Sequence, residues 1–138
     1  MQEKQRPRLR PANNKDCEKV ASLLYEVLKE YNLKPDPAGT DADIRDIEQS
    51  YFRRGGTFYV LEEKDGSVIG AYGLYPVDKA TCELRKMYLR SSYRNKGLGK
   101  LLLEDALSKA RQMGFKRMTL ETASVLKEAI SLYKNYGF

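Results

Sequence analysis

The chain has 138 residues, with 25 lysines and arginines against 19 aspartates and glutamates, and it contains no histidine. This length fits about one domain, which we expect to span residues 1–138. The formal charge of +6 favours an anionic ligand but is weak evidence for nucleic acid, and the lack of histidine removes the commonest metal ligand, so no metal is expected.

The sequence has neither the pattern of a targeting signal nor that of a cysteine metal site or disulfide framework. The first ten residues are charged where a secretory signal would be apolar, and no apolar run approaches the ~18 residues that a membrane span needs. Cys17 and Cys82 match neither a CxxC metal pattern nor a disulfide framework. We therefore expect a cytoplasmic protein without a membrane partner, in which both thiols are reduced and packed.

The first elements predicted are a short strand at residues 8–11 and a helix that follows it. Asn13, with Asp16 three residues later, has the pattern of an N-terminal cap. A single apolar stripe at helical spacing comprises Val20, Leu23, Leu24, Val27, Leu28 and Tyr31. The helix is expected to end near Asn32, because the prolines that follow cannot continue it.

A second helix is predicted to begin at Thr40, where Thr-x-x-Asp resembles a capping box, and to end at the glycine pair 55–56. Two β-rich runs follow, at residues 57–63 and 67–75. They are joined by Lys64-Asp65-Gly66, and this arrangement is typical of a β-hairpin.

The run TCELRKMYL, residues 81–89, is predicted to be a strand whose side chains alternate strictly. One side would carry Glu83, Arg85, Met87 and Leu89, and the other would carry Cys82, Leu84, Lys86 and Tyr88. A helix over residues 98–113 that Gly114 terminates, a strand over 115–121 and a helix over 125–136 complete the pattern. The predicted order is βααβββαβα in one α+β domain.

The segment YRNKGLGK, residues 93–100, connects this strand to the third helix. Gly97 and Gly99 would expose backbone N–H groups at the positive end of the helix dipole. Three cations lie beside them: Arg94, Lys96 and Lys100. A Walker loop would need Ser or Thr after Lys100, and a Rossmann fingerprint would need glycine at position 102, but leucine occupies both places. The segment therefore predicts a phosphate or pyrophosphate cradle of another class.

The pattern Arg94-x-x-Gly97-x-Gly99 resembles the acyl-coenzyme A loop of the GNAT N-acetyltransferase family. LRPANNKDCEKVASLL resembles the first strand and helix of that family, ELRKMYL its fourth strand and KRMTLET its fifth. AISLYKNYGF resembles the recurrent ending Leu-Tyr-x-x-x-Gly-Phe of its fourth helix. The resemblance covers about residues 8–138 and implies a mixed, mostly antiparallel sheet flanked by helices.

This resemblance implies an enzyme that moves an acetyl group from acetyl-CoA to a primary amine of a small molecule or peptide by direct attack. In the family, loop amides bind the pyrophosphate, and the fourth strand binds the pantetheine arm and donates to the thioester oxygen. The cofactor-binding residues implied here are Met87, Tyr88, Leu89, Arg94, Asn95, Lys96, Gly97, Leu98, Gly99 and Lys100. Lys96 is equally consistent with a solvated surface cation.

Two catalytic residues are implied by the same resemblance. Tyr133 occupies the tyrosine position of Leu-Tyr-x-x-x-Gly-Phe and would protonate the leaving thiolate, although a core aromatic role is the alternative. Glu83 is the first candidate for the general base, and Glu121 is the second. A simple surface pair between Glu83 and Arg85 is the other interpretation of Glu83.

Two features depart from the family pattern. Leu126 stands where many relatives carry an asparagine that contacts the cofactor, so that contact is either absent or supplied by Thr122 or Ser124. The chain also ends at Gly137-Phe138, where relatives usually continue for two more strands. We therefore expect a C-terminally incomplete fold, in which either the sequence is shortened or another chain, as in a homodimer, covers the open edge of the sheet.

The sequence also bears on functions of other classes. A non-catalytic acyl-CoA-binding or regulatory module is the alternative, whereas a nucleic-acid binder is disfavoured because the tyrosines fall mostly at core-facing spacings. The sequence does not identify the acceptor amine. In this family, acceptor specificity is usually built by the segment that corresponds here to residues 31–46, whose acidic residues would suit a cationic amine or simply a solvated helix start.

Overall fold

A computed structural model describes residues 7–120 of the chain. Its strands are β1 (Arg8–Pro11), β2 (Thr57–Glu62), β3 (Val68–Pro76), β4 (Thr81–Leu89) and β5 (Arg117–Leu120). Its α-helices are α1 (Cys17–Glu30), α2 (Ile47–Ser50) and α3 (Leu98–Gln112). The predicted helix over 125–136 and the edge of the sheet expected beyond the fifth strand involve residues outside this range.

The five strands form one sheet in the order β1-β2-β3-β4-β5. The pairs β1–β2, β2–β3 and β3–β4 are antiparallel, and β5 runs parallel to β4, with α3 as the connection between them. A parallel pair needs such a crossover, whereas the antiparallel pairs can be joined by short turns. The predicted α+β class with a mixed, mostly antiparallel sheet is confirmed.

Both long helices end where the local sequence predicted. The Asn13–Asp16 capping box is present at the entry to α1. At its exit Asn32 adopts a left-handed φ of 57°, and the amide of Leu33 donates to the carbonyl of Leu28 over 2.9 Å. Gly114, with φ of 92°, ends α3 in the same way. These are Schellman motifs, which depend on residues that tolerate positive φ.

The second predicted helix, from Thr40 to the glycine pair, is wrong as a continuous element. A 3-10 turn over Ala42–Arg45, the four-residue α2 and another 3-10 turn over Phe52–Arg54 occupy that region instead. The carboxylate of Asp41 accepts a hydrogen bond from the Asp36 amide, and Asp46 caps α2 by accepting from the Gln49 amide. Aspartate side chains that accept from backbone N–H groups compete with the carbonyls that a helix would use. No long helix therefore forms in this region.

The strict alternation predicted for β4 is also wrong, because the strand contains a β-bulge. Lys86 and Met87 together lie opposite the single residue Tyr72 of β3. Lys86 has a φ of 55°, in the left-handed region that side chains other than glycine rarely adopt. The extra residue shifts the pairing of everything that follows it on β4.

Beyond the bulge, the two sides of β4 are exchanged relative to the prediction. The register places Tyr88 on the face of Glu83 and Arg85, because these residues pair with odd-numbered positions of β3. Leu89 lies on the face of Cys82 and Leu84. A one-residue slip moves a side chain to the opposite face of a sheet, which is why pattern alone assigned these two residues wrongly.

The sheet is covered on both faces. A Cβ added to Gly70 would lie 3.3 Å from Leu102, so α3 packs closely on that face. A Cβ added to Gly73 would lie 2.8 Å from the Tyr51 ring, so the segment around α2 covers the opposite face. Among the helices within residues 7–120, none has both the length and the apolar character that a membrane crossing requires.

A network of charges around the buried Asp16 joins β1, β2 and the start of α1. Arg10 donates to both carboxylate oxygens of Asp16, at 2.8 and 3.0 Å, and to Glu62 at 3.0 and 3.1 Å. Asp16 is buried and also accepts from the Asn13 amide. Burial acts to raise the pKa of Asp16, but the hydrogen bonds from Arg10 and Asn13 outweigh it and hold the pKa below its ordinary value.

Asp16→Asn should destabilise the protein by about 2 kcal/mol at pH 7, because hydrogen bonds to a charged group are lost. A carboxylate whose pKa is lowered in the folded state stabilises the fold at pH values above its unfolded pKa of about 3.9. This contribution disappears as the pH falls through the folded-state pKa. The difference between variant and wild type should therefore shrink near pH 3. Urea unfolding of both proteins at pH 7 and at pH 3 measures this difference in the free energy of unfolding.

The matched control is Glu18→Gln, an exposed carboxylate in the first turn of the same helix. It should change the free energy of unfolding by less than about 0.5 kcal/mol at either pH. An Asp16→Asn deficit of equal size at pH 7 and pH 3 would contradict the role given to the Asp16 charge.

Candidate functional site

The N-terminus of α3 presents a set of backbone donors without acceptors. Gly97 is the N-cap residue, with a left-handed φ of 81° and no side-chain cap. Among residues 7–120, no group accepts a hydrogen bond from the amides of Gly97, Leu98, Gly99 or Lys100. The first turn carries no acidic residue. Four free amides at the positive end of a 15-residue helix are suited to an anion.

The cations of the loop differ in their surroundings. The Arg94 guanidinium forms an ion pair with Glu30 of α1 at 2.7 Å and donates to the Leu89 carbonyl of β4 at 2.8 and 3.0 Å. Lys96 and Lys100 are exposed, and neither forms an ion pair within residues 7–120. Arg94 therefore braces the loop against the helix and the strand, and the two lysines are the mobile charges.

The strand residues predicted to contact the cofactor lie next to this loop. Met87, Tyr88 and Leu89 form the last part of β4, beyond the bulge, and their side chains are buried. The described pairing of β5 with β4 runs from Thr81 to Leu84, on the other side of the bulge. Because Arg94 bonds to the Leu89 carbonyl, the end of the strand and the loop are held as one unit.

Glu83, the first candidate base, is ion-paired. Its Oε1 accepts from Arg85 Nε at 2.5 Å, and both side chains are about one quarter exposed. The Arg85 guanidinium also lies 3.7 Å above the centre of the Tyr75 ring. The pair that the sequence offered as the alternative to a catalytic role is thus present. Glu83 Oε2 makes no hydrogen bond within the described part of the chain and remains open to a water or substrate.

A buried lysine near this pair was not predicted as a site residue. Lys86 is 1% exposed, and its Nζ lies 3.4 Å from Asp41, 3.3 Å from Asp43 and 3.0 Å from the Thr40 carbonyl. It links the bulge of β4 to the segment before α2. The signal was present in the sequence, since a lysine fell on the apolar side of a strand and needed a carboxylate partner.

An open cleft of about 470 Å³ lies over this region and is lined by Asp36, Gly39, Thr40, Asp43 and Arg85. It joins the segment before α2, where acceptor specificity was expected, to the first half of β4. The remaining predicted residues, Tyr133, Glu121, Leu126, Thr122 and Ser124, lie outside the described residues.

Neither cysteine is placed for nucleophilic chemistry. Both are free thiols, as the sequence predicted. Burial raises the pKa of Cys82 to about 11 and also raises the pKa of the half-buried Cys17. The thiolate is the nucleophilic form, so both thiols are largely inert at neutral pH. Within residues 7–120, no group of three or more Cys, Asp or Glu side chains is arranged to hold a metal ion.

Known proteins resemble this chain in sequence. Residues 21–138 match the model of the acetyltransferase (GNAT) family. The uncharacterized N-acetyltransferase YjgM of Escherichia coli (strain K12) is 40% identical over 139 residues, covering 97% of this chain and 83% of that protein. Human N-acetyltransferase 8 is 31% identical over 101 residues, covering 70% of this chain and 44% of that protein.

Solved structures agree with these matches. An acetyltransferase from Streptococcus agalactiae 2603 superposes with a TM-score of 0.85 at 28% identity, covering 97% of this chain and 84% of that one. A predicted acetyltransferase from Clostridium acetobutylicum, solved with acetyl-CoA, gives a TM-score of 0.76 at 18% identity, covering 95% and 88%, and supports the fold alone. The chain belongs to the GNAT acetyltransferase family.

Proposed function

We propose that this protein uses acetyl-CoA as its donor and transfers the acetyl group to a primary amine of a small molecule or peptide by direct attack. The observation that carries the proposal is the row of free amides from Gly97 to Lys100 at the start of α3. These amides would bind the pyrophosphate of the donor, and the exposed Lys96 and Lys100 would add positive charge around it.

The end of β4 would hold the rest of the donor. Its backbone from Met87 to Leu89 would pair with the pantetheine arm, and an amide near Met87 or Tyr88 would donate to the thioester oxygen. Such a donor matters most as negative charge develops on that oxygen during attack. The inert thiols of Cys17 and Cys82 support direct transfer to the amine, because an acyl-cysteine intermediate would need a thiolate.

Proton transfers complete the proposed reaction. Glu83, through its open Oε2 and a water, would take a proton from the amine, with Glu121 as second choice. The amine nitrogen forms a bond to the acetyl carbon as the carbon–sulfur bond breaks. Tyr133 would donate its phenolic proton to the departing sulfur and recover one from solvent, so that charge does not accumulate on the thiolate.

A non-catalytic acyl-CoA-binding or regulatory module is the second candidate function. The specific observation in its favour is the ion pair between Glu83 and Arg85, because such a pair gives Glu83 a structural partner without any catalytic role. Both candidates require acetyl-CoA binding, and they differ in whether any amine is acetylated.

Gly97→Ala should weaken acetyl-CoA binding about tenfold, or about 1.4 kcal/mol. Alanine at a left-handed N-cap strains the backbone that presents the amides, at a cost of about 1 kcal/mol in stability. The matched control is Gly114→Ala at the other end of α3. Both glycines have positive φ, and an added Cβ at either position meets nothing within 4 Å.

Isothermal titration of acetyl-CoA and urea unfolding measure the two effects separately. Both variants should lose similar stability, and only Gly97→Ala should lose affinity. In the wild type, acetyl-CoA at about 100 times its dissociation constant should add about 2.7 kcal/mol of stability. The absence of any stabilisation in the wild type would refute the cofactor proposal, and equal affinity losses in both variants would refute the proposed location.

Tyr133→Phe should lower kcat about 100-fold while leaving the dissociation constant of acetyl-CoA unchanged, because only the proton donor to the leaving sulfur is removed. Tyr25→Phe, at an exposed position on α1, serves as the control and should retain full activity. Release of free CoA thiol measures turnover. Full activity in Tyr133→Phe would assign the donor elsewhere, and a wild type that binds acetyl-CoA without acetylating any amine would favour the second candidate.

A further inference from the structure

The guanidinium of Arg85 presents two unused donors to the cleft. Its Nε is held by Glu83 at 2.5 Å, and its plane is held above the Tyr75 ring at 3.7 Å. No residue in the described part of the chain accepts a hydrogen bond from Nη1 or Nη2. Asp43 Oδ2 lies 3.9 Å from Nη1, within ion-pair distance but beyond the reach of a hydrogen bond. A fixed guanidinium whose outer donors make no hydrogen bond matches the two oxygens of a carboxylate.

Asp43 supplies a complementary acceptor in the same cleft. Its side chain is 8% exposed, and its Oδ2 accepts a hydrogen bond from the Tyr51 hydroxyl. Oδ1 lies 3.3 Å from Lys86 Nζ, which is within ion-pair distance, but no hydrogen bond reaches it in the proper geometry. Buried carboxylate oxygens nearly always receive a hydrogen bond. Oδ1 has almost no accessible surface, so an amine in the cleft would bind the Asp43 carboxylate through Oδ2, the oxygen that faces Arg85.

The two groups lie close enough to bind one small molecule. Arg85 and Asp43 both line the cleft and approach each other to 3.9 Å. In an α-amino acid, the amine nitrogen and the carboxyl carbon are about 2.5 Å apart, which follows from the bond lengths around Cα. An amine without a carboxylate would satisfy Asp43 but leave the donors of Arg85 unused.

We propose that the acceptor is a free α-amino acid or a related small zwitterion, whose carboxylate binds Arg85 and whose amine binds Asp43. The inference rests on the proposed acetyltransferase function and specifies the acceptor class. Lys86, which contacts Asp43, directly precedes Met87, so the amine would lie beside the part of β4 assigned to the thioester. The bond formed is the amide at the α-nitrogen, and the carboxylate takes no part in the chemistry.

The experiment compares free L-amino acids with their own α-amides as acceptors for the full chain and acetyl-CoA, measured by CoA thiol release. The amide keeps the side chain and the amine but removes the carboxylate charge. Its amine is less basic and therefore more available at neutral pH, so a preference for the free acid cannot come from amine reactivity. The wild type should prefer the acid at least tenfold in kcat/KM, which equals about 1.4 kcal/mol.

Arg85→Gln should reduce that preference to less than about threefold by slowing the acid alone. Arg54→Gln is the matched control, because Arg54 also lies over the Tyr75 ring, at 5.4 Å, but does not line the cleft. It should keep the wild-type preference. The stabilisation of each variant by acetyl-CoA is measured in parallel and should be unchanged, which shows that the variants fold and bind the donor.

Each remaining outcome overturns the inference. Wild-type protein that acetylates amides as fast as acids, or that accepts only amines without a carboxylate, has a different acceptor class while the acetyltransferase function stands. An equal loss on acid and amide in Arg85→Gln would show that Arg85 acts through Glu83 and does not bind the carboxylate. Donor binding without turnover of any amino acid refutes the acceptor class, and no donor binding refutes the proposed function itself.

Discussion

The buried ion cluster around Lys86 is the interaction on which the shape of the candidate site depends. Lys86 occupies a left-handed backbone position, which costs a residue other than glycine about 1–2 kcal/mol. Its side chain is almost fully buried, and a buried ammonium is tolerated only beside compensating charge. Asp41 and Asp43 supply that charge, so the segment before α2 must turn its carboxylates toward β4. Lys86 therefore links the bulge in the strand to the course of the segment before α2. Removing either partner would leave an uncompensated buried charge, which is far costlier than never having had the pair.

The bulge also divides β4 into two halves, one beside the proposed acceptor region and one beside the proposed donor region. Before it, Arg85 lines the cleft beside the segment that precedes α2, and Glu83 is ion-paired to Arg85. After it, Met87 to Leu89 run toward the loop at the start of α3. A regular strand would place side chains of both halves on a single alternating pattern, whereas the extra residue exchanges the faces between them. The proposed donor and acceptor regions are therefore adjacent along one strand and are built from different neighbours.

The features that the sequence predicted correctly are those governed by near neighbours. The Asn13–Asp16 cap, the ends of the two long helices and the hairpin around Lys64-Asp65-Gly66 depend on a few consecutive residues. The resemblance to the GNAT family identified the loop over residues 93–100 and the strand β4 as candidate binding elements. The bulge at Lys86 and the bond between Arg94 and Glu30, which are 64 positions apart, depend on tertiary contacts that no local pattern contains. The cleft lined by Asp43 and Arg85 was anticipated only as a region, because its shape depends on the positions in which Lys86 holds the aspartates.

The bonds made by Arg94 would lower the conformational entropy that the loop loses when it binds the proposed anion. A glycine-containing loop has many conformations, and fixing each residue costs about 1–2 kcal/mol of conformational entropy. Here the guanidinium fastens the loop to Glu30 of α1 and to the Leu89 carbonyl, so part of that ordering is complete before a ligand arrives. Its charge is largely neutralised in the process, and attraction for the anion falls to the backbone dipoles and the two lysines. Preorganisation of this kind improves affinity by lowering the cost of association, without any contact between the arginine and the ligand.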